Sequence, residues 1–428
     1  MFNLVLNSPR GTFDIYGNEI KYRDFIINTV RDLFDIFNFE EIITPAFEYT
    51  EVFSKSIGVS TDIVQKEMYT FPDRKGRSLT LRPEGTASVV RSAVEKKMLS
   101  SGSLPVRLFY IGNMFRYERP QKGRTREFWQ IGVESLGSGE PMLDAEIMWL
   151  LDEIFFKLGF KNLELNINCI GCTSCKESFT SRFKKYIGPF AGDLCTDCKR
   201  RLKENPLRIF DCKVSQCLEK ASGGPKITSF LCTECEDHFE KVKFFLKSLS
   251  IKYKISDELV RGFDYYTGTI FEMTSKELES AQNALGGGGR YNKLLKEFGG
   301  PDMPAIGFAI GLDRTIMLMK ELRIEYKQKK GRIKVYFIST KRPDDLYSLK
   351  ILKILRDAGI SCETNYGTKN IGNGVKKAGK KGFKLAAIIG SEEIKTRTVS
   401  VKDLNKFKQY NFNQAQLVKK IMELTGAK

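Results

Sequence analysis

Four arginines stand in settings that could hold phosphate. Arg116 and Arg124 flank a polar loop between two strand-like runs, Arg261 precedes Gly262-Phe263-Asp264-Tyr265-Tyr266, and Arg314 follows Gly311-Leu312-Asp313. A planar guanidinium offers forked donors that match phosphate oxygens better than a flexible ammonium does, so four fixed ones could clamp a triphosphate. Taken singly, each is more often a surface salt-bridge partner. The common nucleotide motifs do not compete: no GxxxxGK[ST] loop occurs, and Gly286-Gly287-Gly288-Gly289-Arg290 does not fit the dinucleotide fingerprint.

A second chemistry lies in the cysteines, nine of whose ten copies fall between Cys169 and Cys235. Cys169, Cys172 and Cys175 form a C-x2-C-x2-C run, followed by Cys195-x2-Cys198, Cys212-x4-Cys217 and Cys232-x2-Cys235. In a cytoplasmic chain such clustering favours metal over disulfides. Two tetrads suit tetrahedral thiolate coordination of zinc: Cys172, Cys175, Cys195 and Cys198, then Cys212, Cys217, Cys232 and Cys235. The metal signal is stronger than the pairing, and free thiols in a reducing compartment are the competing reading. Cys169 is left over as a buried small hydrophobe. His238, the only histidine, follows Cys235 by three residues and is expected on a helix surface rather than as a substitute ligand.

These residues need positioning elements. Asn18 to Phe37 carries Ile20, Ile27, Val30, Leu33, Phe34 and Phe37 at helical spacing. Glu41 to Pro45 reads as a short strand stopped by proline. Arg107 to Glu118 and Arg126 to Leu136 read as antiparallel strands joined by the polar segment from Arg119 to Thr125. From Lys334 onward, strand, helix near Leu346 to Asp357, strand near Cys362, helix near Val375 and strand Leu385 to Ile389 alternate as in a separate α/β domain. The boundary is expected between Glu325 and Arg332.

The 428 residues, 41% hydrophobic and 29% charged, fit two to four folded domains and exclude both a lone small module and wholesale disorder. Met1 to Asp14 lacks a signal-peptide pattern and no run reaches the length of a membrane span, so a cytoplasmic protein without membrane attachment is expected. The net charge of +18 is uneven, because 21 basic and 8 acidic residues fall from Gly331 to Lys428. A basic module on a nearly balanced body fits a polyanionic partner.

At this point the residues resemble a family. Ile42-Ile43-Thr44-Pro45-Ala46-Phe47-Glu48, Phe115-Arg116-Tyr117-Glu118 with its hairpin, and Gly307 to Arg314 look like motifs 1, 2 and 3 of class II aminoacyl-tRNA synthetases. Leu259 to Gly268 and Gly287-Gly288-Gly289-Arg290-Tyr291 resemble the two segments peculiar to histidyl-tRNA synthetases, and Pro9-Arg10-Gly11-Thr12 and Leu81 to Thr86 fit them as well. The departure is the dense cysteine set in what the family has as a mostly helical insertion.

The resemblance implies an α+β chain. A class II catalytic domain on an antiparallel sheet spans 1–325, interrupted by a cysteine-rich insertion at 169–245, and an α/β anticodon-binding domain spans 333–428. It implies ATP-dependent activation of L-histidine to histidyl-adenylate and transfer to tRNA-His, on a homodimer, with Mg2+ accompanying pyrophosphate. By the same analogy Arg116 holds the α-phosphate, Arg314 the γ-phosphate, and Arg261 sits between carboxylate and α-phosphate. Glu118 and Arg124 complete the ATP site. Glu84, Thr86 and Gln130 surround the α-ammonium, Glu134 and Tyr266 take the imidazole nitrogens, and Tyr265 and Tyr291 line the pocket. Arg119 and Gln121 meet the tRNA acceptor end. Zn2+ is the cation expected for the cysteines. Two other readings carry less: a catalytically inactive paralogue that senses histidine as a regulatory subunit, and a general RNA-binding protein. The first usually loses the reactive arginines and the basic domain; the second leaves the pocket motifs unexplained.

Overall fold

The computed structural model describes residues 6–58, 61–100, 102–277, 283–326, 333–340, 346–364 and 370–425. They fall into two compact units, Met1–Lys327 and Gln328–Lys428. In the first unit eight strands form one sheet: β1 Glu40–Glu41, β2 Val106–Phe115, β3 Glu127–Leu136, β4 Leu163–Cys169, β5 Tyr253–Ile255, β6 Thr267–Ser275, β7 Ala284–Arg290 and β8 Ala305–Gly311. Their order is β1-β2-β3-β8-β7-β6-β4-β5. Only the two edge strands pair in parallel; the six between them are antiparallel.

Period-two alternation divides the two faces of this sheet. One face carries Phe109, Ile131, Val133, Phe271, Phe308 and Ile310, which join a single core with four helices. These are α1 Asn18–Ile36, α2 Pro141–Lys157, α3 Thr233–Ser248 and α4 Leu312–Glu321. On the other face, register aligns Tyr110, Gly132, Ala309, Gly287 and Glu272 in one row across five strands. The row has bulk only at its ends, so its middle is open backbone.

The expected strand from Glu41 to Pro45 shrinks to Glu40–Glu41. Ile42 still donates to the carbonyl of Phe109, but beyond it the buried Arg82 guanidinium takes the carbonyls of Thr44 at 2.8 Å and Pro45 at 3.4 Å. A side chain thus replaces the ladder there. Asp313, at the start of α4, ties the motif segments together. It accepts from Arg23 of α1 at 2.8 Å and from the Trp129 amide of β3 at 2.7 Å, while Arg23 stacks over the Trp129 ring.

His238, expected on a helix surface, sits on a helix but is only partly exposed. It is half-buried on α3, with Nε2 3.1 Å from Asp144 Oδ1. Asp144 is itself fully buried and also accepts from Arg290 Nε at 2.9 and 3.0 Å. Arg290 completes its shell on the carbonyls of Ser138 and Glu140, both at 3.0 Å. The one histidine is therefore absorbed by a polar cluster that the linear sequence does not reveal.

The second unit holds a five-stranded sheet: β9 Lys334–Ser339, β10 Ser361–Thr364, β11 Leu385–Ile389, β12 Thr398–Asp403 and β13 Lys408–Asn413, in order β10-β9-β11-β12-β13. Helices Leu346–Asp357 and Ile371–Lys380 make the parallel crossovers. No helix among the described residues is long and apolar enough to cross a membrane.

The Arg290–Asp144 pair lies in the core, where removing one partner strands a charge. Asp144→Ala should lose about 3–5 kcal/mol of unfolding free energy. Urea titration measures this, and a loss under about 1 kcal/mol would show that solvent reaches the arginine.

Candidate active site

The open row of the sheet floors a cleft of about 710 Å³. Glycine is required where side chains cross this floor. A Cβ on Gly307 would overlap the Glu134 carboxylate, and one on Gly287 would meet the Arg261 guanidinium at 2.8 Å.

The cations line one region of the cleft. Arg116 donates through Nε to the carbonyl of Pro83 at 2.9 Å and lies between the rings of Phe128 and Phe263. Arg314 is held by the carbonyls of Gly123 and Ala284, both at 3.0 Å. Burial and the neighbouring charge of Arg124 lower its basicity. Arg124 pairs with Glu118 at 2.8 Å, and Arg116 stands 3.8 Å from the same carboxylate. Arg261 pairs with Glu272, whose charge overcomes the opposing effect of burial and keeps the guanidinium strongly basic.

At the other region sits Glu84, whose two oxygens accept from the amides of Thr86 at 2.6 Å and Ala87 at 2.8 Å. Those amides open the helix Thr86–Glu95, so the carboxylate faces the positive end of a helix. Burial nevertheless raises its pKa above the usual value. Gln130 Oε1 is buried without a hydrogen-bond partner, an acceptor left for a ligand. Tyr265, Tyr266 and Tyr291 cluster here, and burial pushes all three phenols upward, so they remain protonated donors.

Glu134, expected against an imidazole nitrogen, is not among the residues lining the cleft and lies 1% exposed beneath it, accepting from Thr86 Oγ1 at 2.7 Å and from the Tyr291 hydroxyl. Burial raises its pKa to about 8. The cause is again the bare Gly307, beside which the side chain folds down. Arg119 and Gln121 lie exposed outside the lining, on a loop closed by reciprocal backbone bonds between Gln121 and Arg124.

Among the lining groups that escaped the sequence reading are Glu272, Tyr110 and Asp62. Glu272 and Tyr110 could have been found only from strand register. Asp62 receives Arg200 and Arg201 of the insertion at 2.9 Å each. Burial opposes its ionisation, but the hydrogen bond and charge of Arg201 hold its pKa below the ordinary range.

The eight cysteines do form two groups, with a different pairing from the sequential one. Cys172 and Cys175 meet Cys232 and Cys235, while Cys195 and Cys198 meet Cys212 and Cys217, the sulfurs of each group lying within 4.8 Å of one another. The reason is topological. The insertion leaves the sheet after β4 and returns to it at β5, so its first and last knuckles are brought together and the inner pair closes the shorter loop. Backbone amides donate to sulfur in both groups, from Cys232 to Cys175 at 3.1 Å and from Cys195 to Cys217 at 3.3 Å. Such bonds favour thiolates, the form a metal binds. Cys169 is buried outside both groups, and burial raises its thiol to about 12. Cys195 and Cys212 of the inner group also line the cleft.

A mostly antiparallel sheet bearing a motif-2 hairpin, a strand-to-helix motif 3 and convergent arginines defines a class II aminoacyl-tRNA synthetase. A family model described as histidyl-tRNA synthetase matches residues 11–174 and 220–315, and one described as anticodon binding domain matches 334–424. Residues 175–219, with the inner cysteine group, fall between the matched stretches. The histidine–tRNA ligase of Halothermothrix orenii is 43% identical over 419 residues, covering 98% of this chain and 99% of that protein. That of Bacillus subtilis is 43% identical over 398 residues, covering 93% and 94%. The crystal structure of apo S. aureus histidyl-tRNA synthetase superposes with a TM-score of 0.81 at 34% identity, covering 97% of this chain and all of that one. The chain belongs to the histidyl-tRNA synthetase family.

The raised Glu134 pKa has a signed consequence. Between its ordinary value of 4.5 and about 8 the folded state binds more protons than the unfolded one, so this group's contribution to stability falls as pH rises. Glu134→Gln lacks that titration. Relative to the parent, the variant should gain stability from pH 5 to 8 and level off above; melting temperatures across that range check this, and a pH-independent difference would refute it.

Proposed function

We propose that the cleft activates L-histidine with ATP and that the chain ligates it to tRNA-His. The observation that carries this reading is the convergence of Arg116, Arg261 and Arg314 on a cleft that also holds Glu84, Gln130 and three buried tyrosine hydroxyls. The histidine carboxylate attacks the α-phosphate and pyrophosphate leaves; a terminal ribose hydroxyl of the tRNA then attacks the adenylate carbonyl and AMP leaves. Both steps gather negative charge, which fixed guanidinium groups stabilise without reorganisation.

In this reading Arg116 takes the α-phosphate, Arg314 the γ-phosphate, and Arg261 bridges the attacking carboxylate and the α-phosphate. Glu84, Thr86 and Gln130 receive the α-ammonium. Tyr266 addresses one imidazole nitrogen and the Glu134–Tyr291 pair the other, while Tyr265 packs on the ring. A residue without two ring nitrogens would leave these buried groups unpaired, which is a strong basis for rejection. Glu118, a cleft carboxylate paired with Arg124 through Oε2, would offer Oε1 to the oxygen shell of Mg2+, which when bound neutralises the phosphates and the departing pyrophosphate.

Arg119 and Gln121, at the exposed tip of the hairpin, reach for the acceptor end. The basic C-terminal unit reads the anticodon. Ile43, Phe47 and Tyr49, exposed on the motif 1 segment, are the surface of a homodimer, and the enzyme works in the cytoplasm. The two cysteine groups hold Zn2+. No observation favours a non-catalytic regulatory subunit, since the reactive arginines and the anticodon-binding unit are all present.

ATP–pyrophosphate exchange with each of the twenty amino acids, followed by charging of tRNA-His, tests the activity; exchange driven equally by a second amino acid would sink it. Arg261→His should cut the adenylation rate by about 10²-fold or more with little change in histidine affinity. Rapid-quench turnover near the parent value would exclude Arg261 from the transition state. Elemental analysis should find about two zinc ions per chain. Cys175→Ser with Cys235→Ser should remove one ion, and Cys175→Ser with Cys198→Ser both; the reverse pattern would restore the sequential pairing.

A further inference from the structure

The helix Thr173–Ile187 begins at the outer cysteine group, with Cys172 at its N-cap and Cys175 in its first turn. The next residue, Lys176, donates its ammonium to the backbone carbonyl of Tyr266. Two backbone bonds run beside it. Ile170 N donates to Gly268 O at 2.8 Å, and Gly268 N donates to Gly171 O at 2.9 Å. Gly171 has φ +65°, and a Cβ there would overlap Cys175, so the knuckle closes only with glycine. The knuckle is thus attached directly to the segment that carries Tyr265 and Tyr266.

We infer that Lys176 is a positioning residue for the histidine pocket, and that the outer metal centre sets its place. The inference rests on the zinc and pocket readings above. The Tyr266 hydroxyl can address an imidazole nitrogen only if its backbone is fixed; Lys176 holds the Tyr266 carbonyl, and the paired bonds of Ile170 and Gly171 with Gly268 hold the chain two residues on. Four thiolates around one divalent ion carry a net charge of −2, so a cation one residue from Cys175 also answers the charge of the centre. The same side chain therefore links metal to pocket. Among the described residues the inner group shows no corresponding bond to Tyr266: its neighbours Arg200 and Arg201 reach Asp62.

The test uses the full chain in ATP–pyrophosphate exchange, with zinc content and melting temperature measured on each variant. Lys176→Met removes the ammonium and keeps the stem. It should raise KM for histidine about tenfold, the scale of one hydrogen bond to a charged group, with zinc content and KM for ATP unchanged. Lys176→Arg should restore most of the loss, which a merely structural lysine would not require. Cys235→Ser should raise KM for histidine selectively, as Lys176→Met does, whereas Cys217→Ser should leave the ratio of the two KM values unchanged. An unaltered histidine KM in Lys176→Met, or an equal rise for histidine and ATP, overturns the inference. If Lys176→Met does not fold, the two serine variants decide: equal effects on histidine KM overturn it. A chain that folds and charges without zinc would refute the metal reading separately, leaving the Met and Arg variants to judge the lysine. Failure of histidine to support exchange in the parent would refute the pocket reading instead.

Discussion

The catalytic unit depends on one steric constraint, the close approach of backbone between β7, β8 and β3. A Cβ on Gly288 would overlap the carbonyl of Gly307, and one on Gly307 would overlap the Glu134 carboxylate. Glycine in a strand interior costs stability and contributes no packing, so a run of four in β7 is unfavourable on local grounds. What it permits is a sheet face on which long polar side chains lie across the strands. Arg261 crosses Gly287, and Glu134 folds down beside Gly307. The opposite face compensates, because the same strands bury Phe271, Phe308 and Ile310 against four helices.

The electrostatics follow from that floor. Buried carboxylates are costly unless donors meet them, and each one here is met differently. Glu84 is held by helix amides, Glu272 by Arg261, Glu118 by Arg124, and Glu134 by hydroxyls alone. Burial raises the pKa of Glu134 to about 8, since hydroxyl donors do not replace a counter-charge. The arginines are likewise anchored through one or two nitrogens on carbonyls, as Arg314 is on Gly123 and Ala284. A guanidinium anchored in this way keeps other donors for an anion and loses little freedom when one binds.

Much of this organisation was legible in the chain. The hairpin of β2 and β3 shows two runs of aromatic and β-branched residues around a polar loop, and the helix Leu346–Asp357 has the expected bounds, because local patterning decides such elements. The unread features are non-local. Strand β1 ends early because Arg82, some forty residues away, takes the next carbonyls. Glu272 and Tyr110 enter the cleft through register across five strands, which no single segment encodes. His238 looks like a surface residue until Asp144, nearly a hundred positions earlier, is placed beneath it. The cysteine spacing marked the eight residues that cluster but not how they group, since CxxC knuckles at successive positions are locally equivalent and only the return of the insertion to its own sheet separates them.

That return explains why an insertion can affect the site without supplying its floor. It leaves β4 and comes back at β5, on the side of the sheet where the Tyr265–Tyr266 segment runs into β6. Any element placed there abuts the pocket wall, and the outer cysteine group occupies the junction itself. The inner group lies farther along the chain yet faces the cleft through Cys195 and Cys212, with Arg200 and Arg201 set against Asp62. Small helices such as Thr196–Glu204 and Ser215–Ser222 bury little apolar surface of their own, so packing alone would hold these contacts loosely. Tetrahedral coordination at the two cysteine groups would supply rigidity there, directed at two walls of one cleft.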